Sequence, residues 1–360
     1  MVRLYRVLLG AVSLVLSVCA DEPLHVLQKN KQMSVMPAHL SGIGLQDSHM
    51  LDEIAHCLSF TGQFRIEKKV AKHVPRRKRD IKALFDTGYP IAIFIVQRGQ
   101  KIEWRVYDTI EGAMVKGAQI HNPDDLRLWG RQCADAIWYA LTSQKSPFLT
   151  RIAYVKKNEG TKRRYDVCVN DFDGKRESIL FSTPRVIVAP SWGAVKDQPL
   201  LFFSEFTSQN VRLRATDLSG RMMTIFDFDG TSVGIASHPD RDEVVYCRSG
   251  MVWRYTYDAD AKKGVHRLLV RGTGACASPN LLANGDVIYC ARGNICCFNA
   301  ENGKSSIIMR EGYCVAPSYH ADEHKIVYAK RKNGVMQLFT CDLRQMTQKQ
   351  ITDDASNKTD

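Results

Sequence analysis

The chain has 360 residues, 44% of them hydrophobic, and a formal net charge of +12. That length is enough for two domains with separate cores, and the supply of aromatic and β-branched residues excludes a disordered chain. A basic balance in a cytoplasmic protein would raise nucleic acid as a partner, but the N-terminus argues against it.

Arg3 and Arg6 precede a 12-residue apolar run at 7–18, too short for a bilayer span and suited to the core of an export signal. Val18-Cys19-Ala20 offers small residues for cleavage before Asp21, so 1–20 reads as a signal peptide; Cys19 leaves a lipoprotein variant open. No later stretch is apolar enough to cross a membrane, so the mature chain is expected to lack an integral segment. Ten cysteines would remain after cleavage, and in an exported protein they can pair.

Residues 21–145 read as a small α/β domain. A polar tail leads to a strand at 32–36. Ser48 is placed to cap a helix running to about Thr61, with Gly62 closing it. Strand 64–67 follows, then the basic run His73-Val74-Pro75-Arg76-Arg77-Lys78-Arg79. That run has two readings, a nucleic-acid or nuclear-import patch or a solvated loop, and an exported chain favours the loop. A short helix at 81–85 precedes a continuous apolar run at 91–96, expected to be a fully buried strand. Strands at 101–107 and 113–120 come next. Asn122-Pro123-Asp124-Asp125 then signals a helix start, with Asn as cap and Pro in the first turn. Leu126, Trp129, Cys133, Ala136, Ile137, Ala140 and Leu141 form its apolar stripe. Cys57 and Cys133 both sit on apolar helix faces, so the two helices are expected to be neighbours and the cysteines bridged.

From residue 146 onward one pattern repeats. Short apolar runs carry an aromatic at Tyr154, Phe202, Tyr246, Tyr289 and Tyr328. Their spacing of roughly 39–48 residues is that of β-propeller blades. A polar hairpin is expected before each run after the first, from Ala189-Pro190-Ser191, Ala236-Ser237-His238, Ala277-Ser278-Pro279 and Ala316-Pro317-Ser318. Tight turns follow at Asp171-Phe172-Asp173-Gly174, Asp217-Leu218-Ser219-Gly220 and 299–303, where Gly tolerates positive φ and Asp or Asn bonds the turn backbone. Four short strands cannot bury both faces alone, but stacked blades can. The fold class is therefore an α/β N-terminal domain plus an all-β propeller with five visible blades.

The junction Trp129-Gly130-Arg131-Gln132-Cys133, Leu141-Thr142 and Phe148-Leu149-Thr150-Arg151-Ile152-Ala153-Tyr154 resembles the TolB family, the periplasmic component of the Tol–Pal system. The turn at 171–174 and Pro190-Ser191-Trp192 match as well. The likeness spans the mature chain and is strong at the junction and first blade. The family's Trp-Ser-Pro-Asp-Gly hairpins are worn down at Ser191-Trp192-Gly193, Ser237-His238-Pro239-Asp240 and Ser278-Pro279-Asn280. The resemblance implies six blades, so a sixth blade and the closing strand are expected to be missing and the chain to be C-terminally shortened. It also implies a non-enzymatic, monomeric periplasmic scaffold acting in outer-membrane integrity and constriction at division. A Pal-like lipoprotein would dock on the propeller, and a TolA-like inner-membrane protein would engage the mature tail. Carried onto this chain, the tail is 21–26, with Asp21 and Glu22. The docking loops are 183–185, 230–232, 273–274 and 312–313, with Thr183, Arg185, Thr231, Ser232, Thr273 and Tyr313.

No Gly-rich phosphate loop and no His-Glu-x-x-His occurs, so no enzyme and no cofactor are expected. His320, Asp322, Glu323 and His324 fall in a hairpin tip and read as solvated loop residues rather than a metal site. Cys290, Cys296, Cys297 and Cys314 are irregularly spaced on strand-like segments and read as buried or disulfide-linked thiols rather than metal ligands. The alternatives are a secreted propeller-gated hydrolase, for which the first 145 residues supply no nucleophile motif, and a basic envelope adhesin or nucleic-acid binder.

Overall fold

In the computed structural model the described residues are 35–45, 47–99, 101–121, 125–158, 164–195, 198–228, 232–238, 240–258, 263–272, 276–310, 312–320 and 324–353. The leader, the tail at 21–26 and the expected Asn122 cap lie outside them. The chain divides into two compact units. One holds the described residues up to Ile152 together with 170–176; the other holds 153–169 and the residues from Glu177 onward.

The first unit is a mixed five-stranded sheet with helices on both faces. Its strands are β1 (Met36–Ile43), β2 (Phe64–Lys68), β3 (Ile91–Arg98), β4 (Lys101–Asp108) and β5 (Ala113–His121), in the order β2-β1-β3-β4-β5. β1 runs parallel to β2 and β3, and the β3–β4 and β4–β5 pairs are antiparallel. Helices α1 (His49–Phe60) and α3 (Leu126–Thr142) pack on each other and on one face, around Leu40, Ile54, Ile93, Trp104, Trp129 and Ile137. On the other face Ile81 and Leu84 of α2 (Lys78–Asp86) cover Ala92, Phe94 and Tyr107. Coverage on both sides explains why 91–96 is uniformly apolar and wholly buried.

Three local expectations change. The first described strand is 36–43; of the strand expected at 32–36, residues 32–34 lie outside the described residues. Pro37 sits opposite Arg65 only, because the ladder to β3 begins at Ala38, so its missing N–H is tolerated in a central strand. Ser48 makes no side-chain cap; Asp47 Oδ1 accepts from His49 N at 2.8 Å instead. α3 is capped by Asp125, whose Oδ1 accepts from Arg127 N and Leu128 N at 3.0 Å each.

α1 and α3 are neighbours as expected, but Cys57 and Cys133 are not bridged: all ten described cysteines are free thiols. Burial pushes the Cys57 thiol up to about 12, with Glu53 adding to the shift, and it holds Cys133 well above the usual thiol range. Native protein treated with iodoacetamide at pH 8 should therefore leave both thiols unlabelled by mass spectrometry while urea-unfolded protein labels at both. Fast labelling of the native chain would contradict this burial.

The second unit is built of five sheets. The first is three-stranded, β6 (Arg151–Asn158), β7 (Arg164–Asp171) and β8 (Ser178–Thr183). The second is β9 (Ile187–Val195), β10 (Gln198–Phe206), β11 (Val211–Thr216) and β12 (Met222–Phe228). The third is β13 (Ser232–Ser237), β14 (Glu243–Arg248), β15 (Met251–Asp258) and β16 (Lys263–Val270). The fourth is β17 (Cys276–Leu281), β18 (Val287–Ala291), β19 (Asn294–Phe298) and β20 (Ser305–Met309). The fifth is β21 (Cys314–His320), β22 (Lys325–Lys332), β23 (Val335–Asp342) and β24 (Thr347–Gln350). In the last four sheets the repeated aromatics Phe202, Tyr246, Tyr289 and Tyr328 all fall on the second strand and are buried. This is the five-bladed β-propeller read from the repeat.

The blades meet through their first strands, β9 against β13, β13 against β17 and β17 against β21. Polar stitches join them. Ala194 N donates to Ser237 Oγ at 3.0 Å; Asn280 Nδ2 donates to Pro317 O at 2.7 Å and its Oδ1 accepts from Tyr319 N at 3.1 Å. The residues expected as hairpins before each run are partly strand. Ala189, Gly234, Ser278 and Ala316 lie inside β9, β13, β17 and β21 at positive φ, and each first strand is irregular in its pairing there. Gly234 needs its missing Cβ, which would come within 2.8 Å of Pro279. The expected tight turns form, with Gly174, Gly220 and Gly303 at positive φ.

Candidate functional site

Antiparallel order within each blade puts two kinds of connection at one end of the stacked sheets. These are the loops from a fourth strand to the next first strand and the turns from second to third strand. Backbone contacts tie the two kinds together. Phe206 N donates to Val186 O at 2.8 Å, Cys314 N to Gly293 O at 2.8 Å, and Arg331 N to Tyr313 O at 2.9 Å. Of the loops expected from the sequence to dock a partner, the described residues 183–185, 232 and 312–313 belong to this end.

Of the residues named there, Asp21, Glu22, Thr231 and Thr273 lie outside the described residues. Thr183 is buried and turned inward: its Oγ1 accepts from Arg185 N at 3.2 Å and lies 3.4 Å from Glu205 Oε1, so it shapes the loop rather than presenting itself. Arg185 is exposed, its Nη1 3.5 Å from Glu205 Oε1. Ser232 pairs with Arg248 at the edge of β13. Tyr313 is 47% exposed, with the Arg331 guanidinium 4.8 Å from its ring centroid and its ring against Gly293.

Beneath these loops lies a buried ion pair that sequence reasoning missed. Glu205 of β10 is 1% exposed, and its Oε2 accepts from Arg214 Nη1 of β11 at 2.8 Å. Nearby, the Arg248 guanidinium sits 4.2 Å from the centroid of Phe228, over a cluster of Phe226, Tyr246, Tyr255 and His266. Burial lowers the His266 pKa and Arg248 lowers it further, so the neutral ring accepts from the Tyr246 hydroxyl at 2.8 Å. Burial pushes the Tyr246 phenol up to about 12.

The larger omission is a series of cations. Arg185, Arg271, Arg292, Arg310, Arg331 and Lys332 are all exposed at this end. The signal was in the sequence: Arg271, Arg292, Arg310 and Arg331 each precede a turn glycine by one to three residues. At the opposite end His324 Nδ1 accepts from the Tyr319 hydroxyl at 2.9 Å and His320 is exposed, while Asp322 and Glu323 lie outside the described residues. Among the described residues no group of three or more His, Cys, Asp or Glu side chains is placed to hold a metal ion. Among them also, no helix is long and apolar enough to cross a membrane.

Comparison with known proteins bears directly on this architecture. A family model described as the TolB β-propeller domain matches residues 138–294. The Tol-Pal system protein TolB of Chromobacterium violaceum is 29% identical over 210 residues, covering 56% of this chain and 47% of that protein. The chain is similar to TolB proteins over this region. The Tol-Pal system protein TolB of Thioalkalivibrio sulfidiphilus is 28% identical over 199 residues, covering 52% of this chain and 45% of its own length. The chain thus aligns with about half the length of these curated TolB proteins. The crystal structure of TolB from Acinetobacter baumannii superposes with a TM-score of 0.74 at 20% identity, covering 91% of this chain and 85% of that one. The fold is the TolB fold, with its α/β unit and its propeller.

Proposed function

We propose that the chain is a non-enzymatic scaffold of a Tol–Pal envelope complex, acting in the periplasm in outer-membrane integrity and constriction at division. A Pal-like lipoprotein docks on the loop end that carries Arg185, Ser232 and Tyr313, and the segment at 21–26 engages a TolA-like inner-membrane protein. The observation that carries this reading is the kinship to proteins named as Tol-Pal system TolB, joined to a propeller end where rigid sheets hold exposed side chains ready for a partner.

The test is calorimetric titration of the whole chain with the peptidoglycan-associated lipoprotein of the same organism. Tyr313→Ala and Arg292→Glu should each weaken binding about tenfold or more, as expected for anchors of an interface, with circular dichroism unchanged. Wild-type affinity in both variants would move the docking site off this end.

A further inference from the structure

The basic run at 73–79 is not absorbed by the docking role. In the structure it wraps a cavity of about 830 Å³ in the first unit. Six basic side chains line that cavity: Lys72, His73, Arg76 and Lys78 from the run and its flank, and Arg98 and Arg105 from β3 and β4. No Asp or Glu is among the lining residues. Arg105 is fixed by Glu103, with Nε at 2.6 Å and Nη2 at 3.0 Å. The nearby Asp80 is engaged by Arg79. Lys72, His73, Arg76, Lys78 and Arg98 have no carboxylate partner among the described residues. The floor is apolar, with Ile81 and Val96.

We propose that this cavity is a binding site for a phosphate-bearing anion larger than a single phosphate. Unpaired cations crowded around one concavity repel each other, and an anion between them relieves that repulsion. Arg76 and Arg98 supply planar forks that match phosphate oxygens two at a time, and Lys72 and Lys78 supply point charges. The cavity borders the first residue of α2, whose N-cap Arg77 makes no side-chain cap, so the positive end of that helix adds to the same field. The volume lies in the range of small-molecule sites, and the apolar floor accommodates the body of an ester rather than a bare ion. The phosphate could be that of a soluble ester or of a lipid headgroup. The site is independent of the docking role, since it stands on residues of the other unit.

The experiment uses the full chain and inorganic pyrophosphate as probe, titrated by calorimetry at low ionic strength. Saturable binding is expected, weakened at least about tenfold by Arg76→Ala and by Arg98→Ala and unchanged by Arg292→Ala, which removes an equal charge from the propeller. A second arm sediments the chain with vesicles of phosphatidylcholine and phosphatidylglycerol. Pelleting that pyrophosphate and Arg98→Ala both abolish assigns the phosphate to a lipid headgroup; no pelleting alongside calorimetric binding assigns it to a soluble ester. Absence of pyrophosphate binding overturns the proposal, as does equal loss in Arg292→Ala or full binding in both cavity variants.

Discussion

Phe202→Ala should destabilise the propeller unit by about 3–5 kcal/mol, the cost of truncating a large aromatic in a core that cannot collapse around the gap. Phe202 is fully buried on β10, packed with Leu200, Leu213, Ile235 and Tyr246 of two adjacent blades. Gly193 of the adjoining strand, whose ladder partner is Leu200, is held close to its ring. A Cβ on Gly193 would lie 2.5 Å from the Phe202 ring and 2.3 Å from Ser237 Oγ, so the strand is already at contact distance and has little room to move inward. Phe202→Leu keeps most of the volume and should cost clearly less. Urea denaturation measures the loss, and hydrogen exchange localises it to amides of β9–β14. Tyr154, the first aromatic of the series, is the contrast. It is only half-buried, with its hydroxyl on Glu177, and Tyr154→Ala should be much milder. A loss of under about 1 kcal/mol for Phe202→Ala would mean that the repeated aromatic marks the blade without stabilising it.

The same residue shows why the blades could be read from the sequence. A buried aromatic on the second strand recurs because each blade must fill the same gap against its neighbour, and that demand survives where the hairpin motif has worn away. The first strands were harder to read. Ala189-Pro190, Ser278-Pro279 and Ala316-Pro317 look like turn dipeptides, yet each sits within a strand, because a left-handed residue there bends the chain and shifts its register. Helix starts were offset for a related reason. Asn122 and Asp125 are both competent caps, and local sequence does not say which one the packing of Leu126 and Trp129 will select. The apolar stripes that placed Cys57 and Cys133 on adjacent helices were legible, but a stripe cannot distinguish two buried thiols from a bridge. At the loop end Arg185 and Tyr313 could be placed by position alone. Thr183 could not, since its inward turn depends on Glu205, which arrives from the next blade. The series from Arg185 to Lys332 is spread over almost 150 residues, and only sheet stacking makes it one surface.

Arg131→Ala should cost the first unit up to about 3 kcal/mol, because it removes the buried one of the two guanidiniums that Glu53 and Asp171 share in a place with little water. The Arg131 side chain is 8% exposed. Its Nε donates to Glu53 Oε1 at 2.6 Å and its Nη2 to Asp171 Oδ2 at 2.9 Å, and its guanidinium lies 5.5 Å from the Phe172 ring centroid. Burial works to lower the Arg131 pKa, and the hydrogen bonds to Glu53 and Asp171 outweigh it, so the group stays charged at any pH where the chain folds. Arg176 also reaches both acids, at 2.9 Å from Glu53 Oε1 and 2.6 Å from Asp171 Oδ2, but its side chain is 36% exposed. Arg176→Ala should therefore cost no more than about 1 kcal/mol. Urea denaturation of the two variants separates these roles, and adding Glu53→Gln to Arg131→Ala should recover part of the loss, since it removes a carboxylate left with only the more exposed Arg176. High salt should shrink the Arg176 effect and leave most of the Arg131 effect in place, because ions screen the exposed guanidinium and not the buried one. Equal costs for the two arginines would mean that water reaches Arg131 as freely as Arg176, and that the turn at 170–176 is held to the first unit by Phe172 and its aromatic neighbours instead.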